Sequence, residues 1–190
     1  MNENDVRRVL SEKKEGFNVE AGGILHDVKY DLNVAGITKV RVVNRYDVSG
    51  VTDEEYENAK TVVFSEPPVD ILYDENVDLS DAAYVLIIES LPGQYDQRAD
   101  SAAQCIQFMT AKERPIVKCA KIVAFYGTVS EDEKEKIKSY SRFVCEMLTH
   151  QEMARAGFPH TRTCMQRTSL HSQSAPPHSK QHFQVMQWQS

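Results

Sequence analysis

The side chains that could do chemistry lie far apart in this chain, and their spacing favours structural roles for most of them. Four cysteines occur without the Cys-x-x-Cys spacing of a metal or redox site, at Cys105, Cys119, Cys145 and Cys164. They are typical of reduced thiols in a cytoplasmic protein. Five of the six histidines fall in the last fifty residues without the spacing of metal ligands, so we expect no metal site.

The densest group of candidates lies at the start of a helix that we expect after Gly93. Asp96 is a good N-cap for this helix, and its carboxylate would already occupy the end where a phosphate could bind. Cys105 would lie well inside the helix, so we expect a core or near-core thiol rather than a nucleophile. Arg98 and Asp100 are two residues apart and cannot pair on one helix face. Ion pairs with another domain and plain solvated charges both stay open for them.

Alternating strands and helices must position these residues. The alternation from Phe17 to Ala21 predicts a strand, after which Gly22-Gly23 turns the chain into a helix with Leu25, Val28 and Leu32 on one face. Gly36 is expected to end this helix with a positive φ, and a strand follows over Val40–Tyr46.

Two capping boxes lie 78 residues apart, at Thr52-Asp-Glu-Glu55 and Ser130-Glu-Asp-Glu133. Each follows a strand and opens an acidic helix, which suggests an internal duplication. One βαβαβ unit cannot cover both faces of its own sheet, so two units are expected to share a core. We therefore predict an α+β fold made of two duplicated ferredoxin-like halves, at about 15–75 and 82–140.

The second half is expected to be incomplete. At the 78-residue offset, the strand predicted at 67–73 corresponds to 145–151, which instead prolongs a helix with an apolar stripe at Phe143, Val144, Met147 and Leu148. The last strand of the second half is therefore missing or replaced.

Charge divides the chain into a body and a tail. Residues 1–140 hold 17 basic and 26 acidic side chains, whereas residues 141–190 hold five basic and two acidic ones. We expect a folded domain at 1–140, a helix extension at 141–150 and a disordered tail at 151–190. A tail read out of frame after about codon 141 and a natural tail both stay open.

Composition excludes several classes of protein. The net charge of −6 disfavours nucleic acid as a partner, and the strands lack the basic and aromatic residues of an RNA-binding sheet. The longest apolar run, Ala82–Ile88, is far shorter than the roughly 20 residues of a membrane span. No signal peptide is visible at the start, so we expect a cytoplasmic protein without membrane contacts.

The stretch Pro92-Gly-Gln-Tyr-Asp-Gln-Arg-Ala-Asp-Ser-Ala-Ala-Gln-Cys105 resembles the N-terminal region of large, single-chain phosphoribosylformylglycinamidine synthases. Shorter matching pieces are Asn44-Arg-Tyr-Asp47, Phe64-Ser-Glu-Pro-Pro-Val-Asp70 and Glu113-Arg-Pro115. The resemblance spans about residues 10–140. It departs from the family after about Tyr140, where the family continues into a further strand and a linker.

The resemblance implies a ligase of purine biosynthesis that uses ATP, Mg and glutamine in the full enzyme to convert an amide to an amidine. Its N-terminal domain is similar to a dimer of the small subunit of the multi-chain enzyme, is not catalytic, and packs on the synthetase domain in a complex that channels ammonia. This chain is expected to hold no cofactor and to be inactive alone, since the synthetase and glutaminase domains, its expected partners, are absent from it. The interdomain contact candidates are Gln94, Asp96, Gln97, Arg98 and Asp100. The alternative is a free-standing interaction or regulatory module that binds a partner synthetase or a small effector.

Overall fold

The computed structural model describes residues 6–90 and 94–141 and, for the backbone alone, 165–166 and 183–189. The elements are β1 Arg7–Lys13, α1 Val19–Tyr30, β2 Ile37–Ser49, α2 Asp53–Val62, β3 Asp70–Asp74, β4 Tyr84–Glu89, α3 Gln97–Thr110, β5 Ile116–Gly127, α4 131–141, β6 Met165–Gln166 and β7 Phe183–Gln189. The fold is α+β, with βαβ units at β1-α1-β2 and β4-α3-β5.

The described strands form one sheet in the order β3-β1-β2-β5-β4-β7-β6. The five strands from β3 to β4 are all antiparallel to their neighbours. β7 lies parallel to β4, and β6 is antiparallel to β7. The long pairing of β2 with β5, from Ile37 opposite Gly127 to Ser49 opposite Ile116, forms the centre of the sheet.

The four helices pack on one face of this sheet in two groups. One core cluster joins α1 and α4 to the sheet through residues that include Ala21, Val28, Val42, Phe125 and Ile137. The other joins α2 and α3 to the sheet through residues that include Val9, Tyr46, Tyr56, Ala59 and Ile106. Val42 and Tyr46 are both even-numbered residues of β2, so both clusters lie on the same side of the strand.

The connection from β3 to β4 packs against the opposite face. Leu79 in this connection is buried against Leu10, Val43 and Ile122, which point away from the helices. Because β3 and β4 lie on opposite sides of β1, β2 and β5, the connection must cross the sheet, and it covers part of this face as it does so.

The local signals for helix starts are confirmed. The hydroxyl of Thr52 accepts from the backbone N–H of Glu55 while the Glu55 carboxylate accepts from the backbone N–H of Thr52, which completes the first capping box. Ser130 and Glu133 make the same two hydrogen bonds at the start of α4. These caps depend on residues three apart in sequence, so short-range chemistry is enough to predict them.

The strand predicted from Phe17 to Ala21 is wrong. Phe17 lies in a turn, and α1 begins at Val19, so Gly22 and Gly23 lie inside the helix rather than before it. The strand that precedes α1 is β1, which brings the start of the first half to Arg7 instead of about residue 15. β1 is hard to predict from sequence because its polar side chains find their partners far away in the chain, as Arg8 does with Asp47.

Gly36 does not end α1, and its φ is not positive. The helix ends at Tyr30 with Asp31 as its C-cap. Gly36 is needed for a different reason, because a Cβ atom there would lie 2.2 Å from the carbonyl oxygen of Thr128. The backbone N–H of Thr128 donates to the Gly36 carbonyl over 2.9 Å, so the two backbones are held in contact.

The helix extension with Phe143, Val144, Met147 and Leu148 lies outside the described residues, as does the segment 145–151. Within the predicted tail, the structure describes only β6 and β7, so the prediction of a disordered tail stays a prediction.

Candidate domain-docking face

The stretch Pro92–Cys105, which we call the family-like motif, is described from Gln94 onward and forms the start of α3. One carboxylate oxygen of Asp96 accepts from the backbone N–H of Ala99 over 3.0 Å, and the other accepts from the Ser90 hydroxyl over 3.4 Å. This confirms Asp96 as the N-cap. Its carboxylate is therefore used within the domain, whereas Gln94 and Gln97 are exposed at the same end of the helix.

Arg98 reaches from α3 to the centre of the sheet. Its guanidinium donates to the side-chain oxygen of Asn44 on β2 and lies beside the buried ring of Tyr46. Burial raises the pKa of the Tyr46 hydroxyl, and the nearby guanidinium opposes that rise. The side chain of Arg98 is exposed but held in place at one end.

Asp100 has partners within the domain. It pairs with Arg114 over 2.5 Å, and Arg114 also donates to the backbone carbonyl of Asp100 over 2.7 Å. The other carboxylate oxygen accepts from the hydroxyl of Tyr95 over 3.2 Å. These contacts hold Tyr95 against the start of α3 while 76% of the residue stays exposed. Tyr95 and Arg114 were not among the predicted contact residues.

Six exposed side chains form one stripe along α3, which we call the α3 outer face: Gln97, Arg98, Ser101, Gln104, Cys105 and Phe108. At about 100° per residue they fall within about one third of the helix circumference. Phe108 is 75% exposed near the end of the stripe. Cys105 is exposed, so the expectation of a core or near-core thiol is wrong, because the buried side is taken by Ala99, Ala102, Ala103 and Ile106.

The α3 outer face carries less charge than the exposed side of α4. Arg98 is its single charged residue, whereas the exposed residues of α4 are mostly charged: Glu131, Asp132, Glu135, Lys136 and Ser139. A charge-poor surface with an exposed aromatic side chain is typical of the centre of a protein–protein interface. The exposed side of α1 is similarly poor in charge, with Glu20 and an exposed Tyr30. The α3 outer face is the candidate functional surface because most of its residues belong to the stretch that carries the family resemblance.

Cys119 lies under the start of α3 and has a different environment from Cys105. Burial raises the pKa of the Cys119 thiol to about 12, and the nearby Asp96 carboxylate acts in the same direction. The thiol is therefore neutral at ordinary pH, which is unfavourable for nucleophilic chemistry.

We expect Cys119 to react much more slowly than Cys105 at pH 8, because its thiol is buried and burial raises its pKa, which lowers the thiolate fraction. A Cys145→Ser/Cys164→Ser variant leaves only Cys105 and Cys119 to react with a chromogenic disulfide reagent. One equivalent, from Cys105, should react fast and the second only after urea is added. Two equivalents of similar rate in the folded protein would contradict the buried position of Cys119.

A second polar cluster, which sequence analysis missed, lies on the opposite face of the sheet. Arg41 donates from Nε and Nη2 to both carboxylate oxygens of Glu12, over 2.9 and 2.7 Å. It also donates to the hydroxyls of Tyr73 and Tyr126 and to the backbone carbonyl of Asp78. The cluster ties the β3–β4 connection to the sheet, so its role is structural.

An open groove of about 590 Å³ lies between the start of α2 and the end of α3. Glu55 and Lys112 pair across it over 2.6 Å, and Asp53 and Glu54 lie at the N-terminus of α2. These carboxylates make the groove unfavourable for an anion. The acidic residues are better explained as charges that stabilise the helix start.

Comparisons of the chain with models of known protein families, with curated proteins and with solved structures found no match. Within residues 6–90 and 94–141 no helix is long and apolar enough to cross a bilayer. The same residues contain no group of three or more His, Cys, Asp or Glu side chains that could hold a metal ion.

Proposed function

We propose that this chain is the N-terminal, non-catalytic domain of an amidoligase of the phosphoribosylformylglycinamidine synthase type. The observation that carries the proposal is the α3 outer face, because the family-like motif folds into a helix that presents Gln97, Arg98, Ser101 and Gln104 outward. Asp96 and Asp100 of the motif instead cap and brace that helix. The motif thus builds a rigid, charge-poor surface of the kind that a partner domain could cover.

The spacing of the elements supports the proposal, since the resemblance implies a pseudo-dimer of a small subunit. The elements β4, α3, β5 and α4 begin 77, 78, 79 and 78 residues after β1, α1, β2 and α2. Their order across the sheet is also mirrored about the β2–β5 pair. We infer that two ferredoxin-like halves share the central sheet, with β7 beside β4 where the first half has β3 beside β1.

The outward stripes of α1 and α3 correspond under the same offset. Positions 19, 20, 23, 26, 27 and 30 of α1 match positions 97, 98, 101, 104, 105 and 108 of α3. Each stripe ends in an exposed aromatic side chain, Tyr30 at 68% and Phe108 at 75% exposure. This correspondence supports the inferred duplication.

In this proposal the domain acts by docking. It packs on the synthetase domain, helps to hold the glutaminase domain in the complex and so supports the transfer of ammonia between them. ATP, Mg and glutamine belong to those domains. A stable interface buries about 800 Å² on each partner, so Tyr95 beside the α3 outer face is expected to contribute as well.

Complementation in trans tests the proposal. The 190-residue chain is added to a synthetase–glutaminase fragment of a single-chain enzyme of this type from which the N-terminal domain has been removed. Calorimetry should show binding with a Kd of about 1 µM or tighter. Glutamine-dependent amidine formation should rise when the chain is added, and ammonia-dependent formation should rise less, because coupling of the two sites is what the domain supplies.

A matched pair of variants locates the contact. Ser101→Arg places a large charged side chain in the middle of the α3 outer face, and Ser139→Arg makes the same change on the exposed side of α4. Ser101→Arg should abolish binding and Ser139→Arg should leave it unchanged. Absence of binding by the unaltered chain, or turnover of glutamine or ATP by the chain alone, would show that the proposed function is wrong.

A further inference from the structure

Arg98 differs from the other arginines in its charge partners. Of the six arginines in the part of the chain that the structure describes, it alone has no carboxylate within ion-pairing distance. The other five pair as Arg7–Asp53, Arg8–Asp47, Arg41–Glu12, Arg45–Glu89 and Arg114–Asp100. Arg98 donates to the neutral side chain of Asn44, so its positive charge is uncompensated in a domain whose net charge is negative.

In the first half, the position that corresponds to Arg98 is Glu20, and its charge is paired. Glu20 is the second residue of α1, as Arg98 is of α3, and it pairs with Lys121 over 2.5 Å. Lys121 and Asn44 face each other across β2 and β5. The Glu20–Lys121 ion pair and the Arg98–Asn44 hydrogen bond are therefore neighbours on the sheet. The fold does not require an unpaired charge at this place.

The surroundings of Arg98 favour a carboxylate over a phosphate as its missing partner. The Asp96 carboxylate already caps the start of α3 through the backbone N–H of Ala99, so a phosphate at this end would lie beside a negative charge. The carboxylates of Asp96 and Asp100 would repel a dianion more strongly than a single negative charge. One guanidinium, held at one end by Asn44, suits the two-oxygen geometry of a carboxylate.

We propose that Arg98 is the anchor of the α3 outer face and receives an Asp or Glu side chain from the domain that docks there. This inference rests on the proposed function, since it names the chemistry of the partner at the same face. This ion pair is expected to contribute strongly to the affinity. When the interface closes over the pair, water is excluded, and removal of either partner leaves a buried charge.

The fragment used for complementation also tests this inference. Arg98→Gln should weaken binding by about 10- to 100-fold and reduce the salt dependence of the affinity. Lys136→Gln removes the same unit charge from the exposed side of α4 and should change the affinity by less than about twofold. Thermal unfolding of each variant checks that the domain itself is unchanged.

Cross-linking gives a second readout that loss of stability cannot imitate. Arg98→Lys introduces an amine that a carbodiimide can couple to a neighbouring carboxylate, and mass spectrometry should identify an amide to one acidic residue of the fragment. If Arg98→Gln and the unaltered chain bind equally well while Ser101→Arg does not bind, the inference is wrong and the proposed function stands. If the unaltered chain does not bind, both are wrong.

Discussion

Gly127→Ala is expected to destabilise the domain by at least about 3 kcal/mol. Gly127 ends β5 with φ near +120°, a conformation that is strained for any residue with a Cβ. The added atom would also lie 2.2 Å from the carbonyl oxygen of Gly36 and 3.1 Å from the backbone nitrogen of Thr38. Both neighbours are backbone atoms, so no change of rotamer can relieve the contact.

Gly23→Ala is the matched control for this substitution. Gly23 lies in the interior of α1 on its exposed side, with no heavy atom within 4 Å of the position of a Cβ. Alanine there should stabilise the domain by about 0.5–1 kcal/mol, because it loses less backbone entropy in a helix. Urea unfolding followed by circular dichroism measures both variants. A Gly127→Ala midpoint equal to that of Gly23→Ala would contradict the close approach of β2 and β5.

The features that the sequence predicts correctly are those whose deciding chemistry is local. The two capping boxes and the Asp96 cap depend on residues three apart, and all three helix starts were predicted. The start of α1 was not predicted: its N-cap is Asn18, whose side chain makes no capping hydrogen bond. The prediction that Gly36 ends α1 was wrong because it relied on the residue type alone. Gly36 is needed for its backbone contact with Thr128, which is 92 residues away in sequence.

The candidate site shows the same division. The residues of Gln94–Asp100 are enough to locate the motif, but they do not distinguish the side chains that stabilise α3 from those that face outward. That distinction depends on Arg114 and Asn44, which come from other elements. The Glu12–Arg41 cluster was not predicted because Glu12 lies on β1, which was itself not predicted, and is 29 residues from Arg41 in sequence. The sequence does contain a signal for a polar side of β2: charged residues occupy four odd-numbered positions of the strand, Lys39, Arg41, Arg45 and Asp47.

The second large effect is expected at Arg41. Its partner Glu12 has a side chain only 12% exposed, and two tyrosine hydroxyls and the Asp78 carbonyl share the same guanidinium. Arg41→Leu would leave the Glu12 carboxylate without a cation in a poorly solvated place. We expect a loss of about 2–4 kcal/mol in the free energy of unfolding.

A double-mutant cycle separates the ion pair from the loss of packing. Glu12→Leu alone leaves the Arg41 guanidinium without its carboxylate. Arg41→Leu/Glu12→Leu removes both charges and replaces them with apolar groups on a partly buried face. The double variant should therefore be more stable than the sum of the two single effects predicts, by about 1–3 kcal/mol. Lys134→Leu, which breaks the exposed pair with Glu131, should cost less than about 0.5 kcal/mol. Strict additivity would mean that Arg41 and Glu12 act independently and that the β3–β4 connection is held by the burial of Leu79 instead.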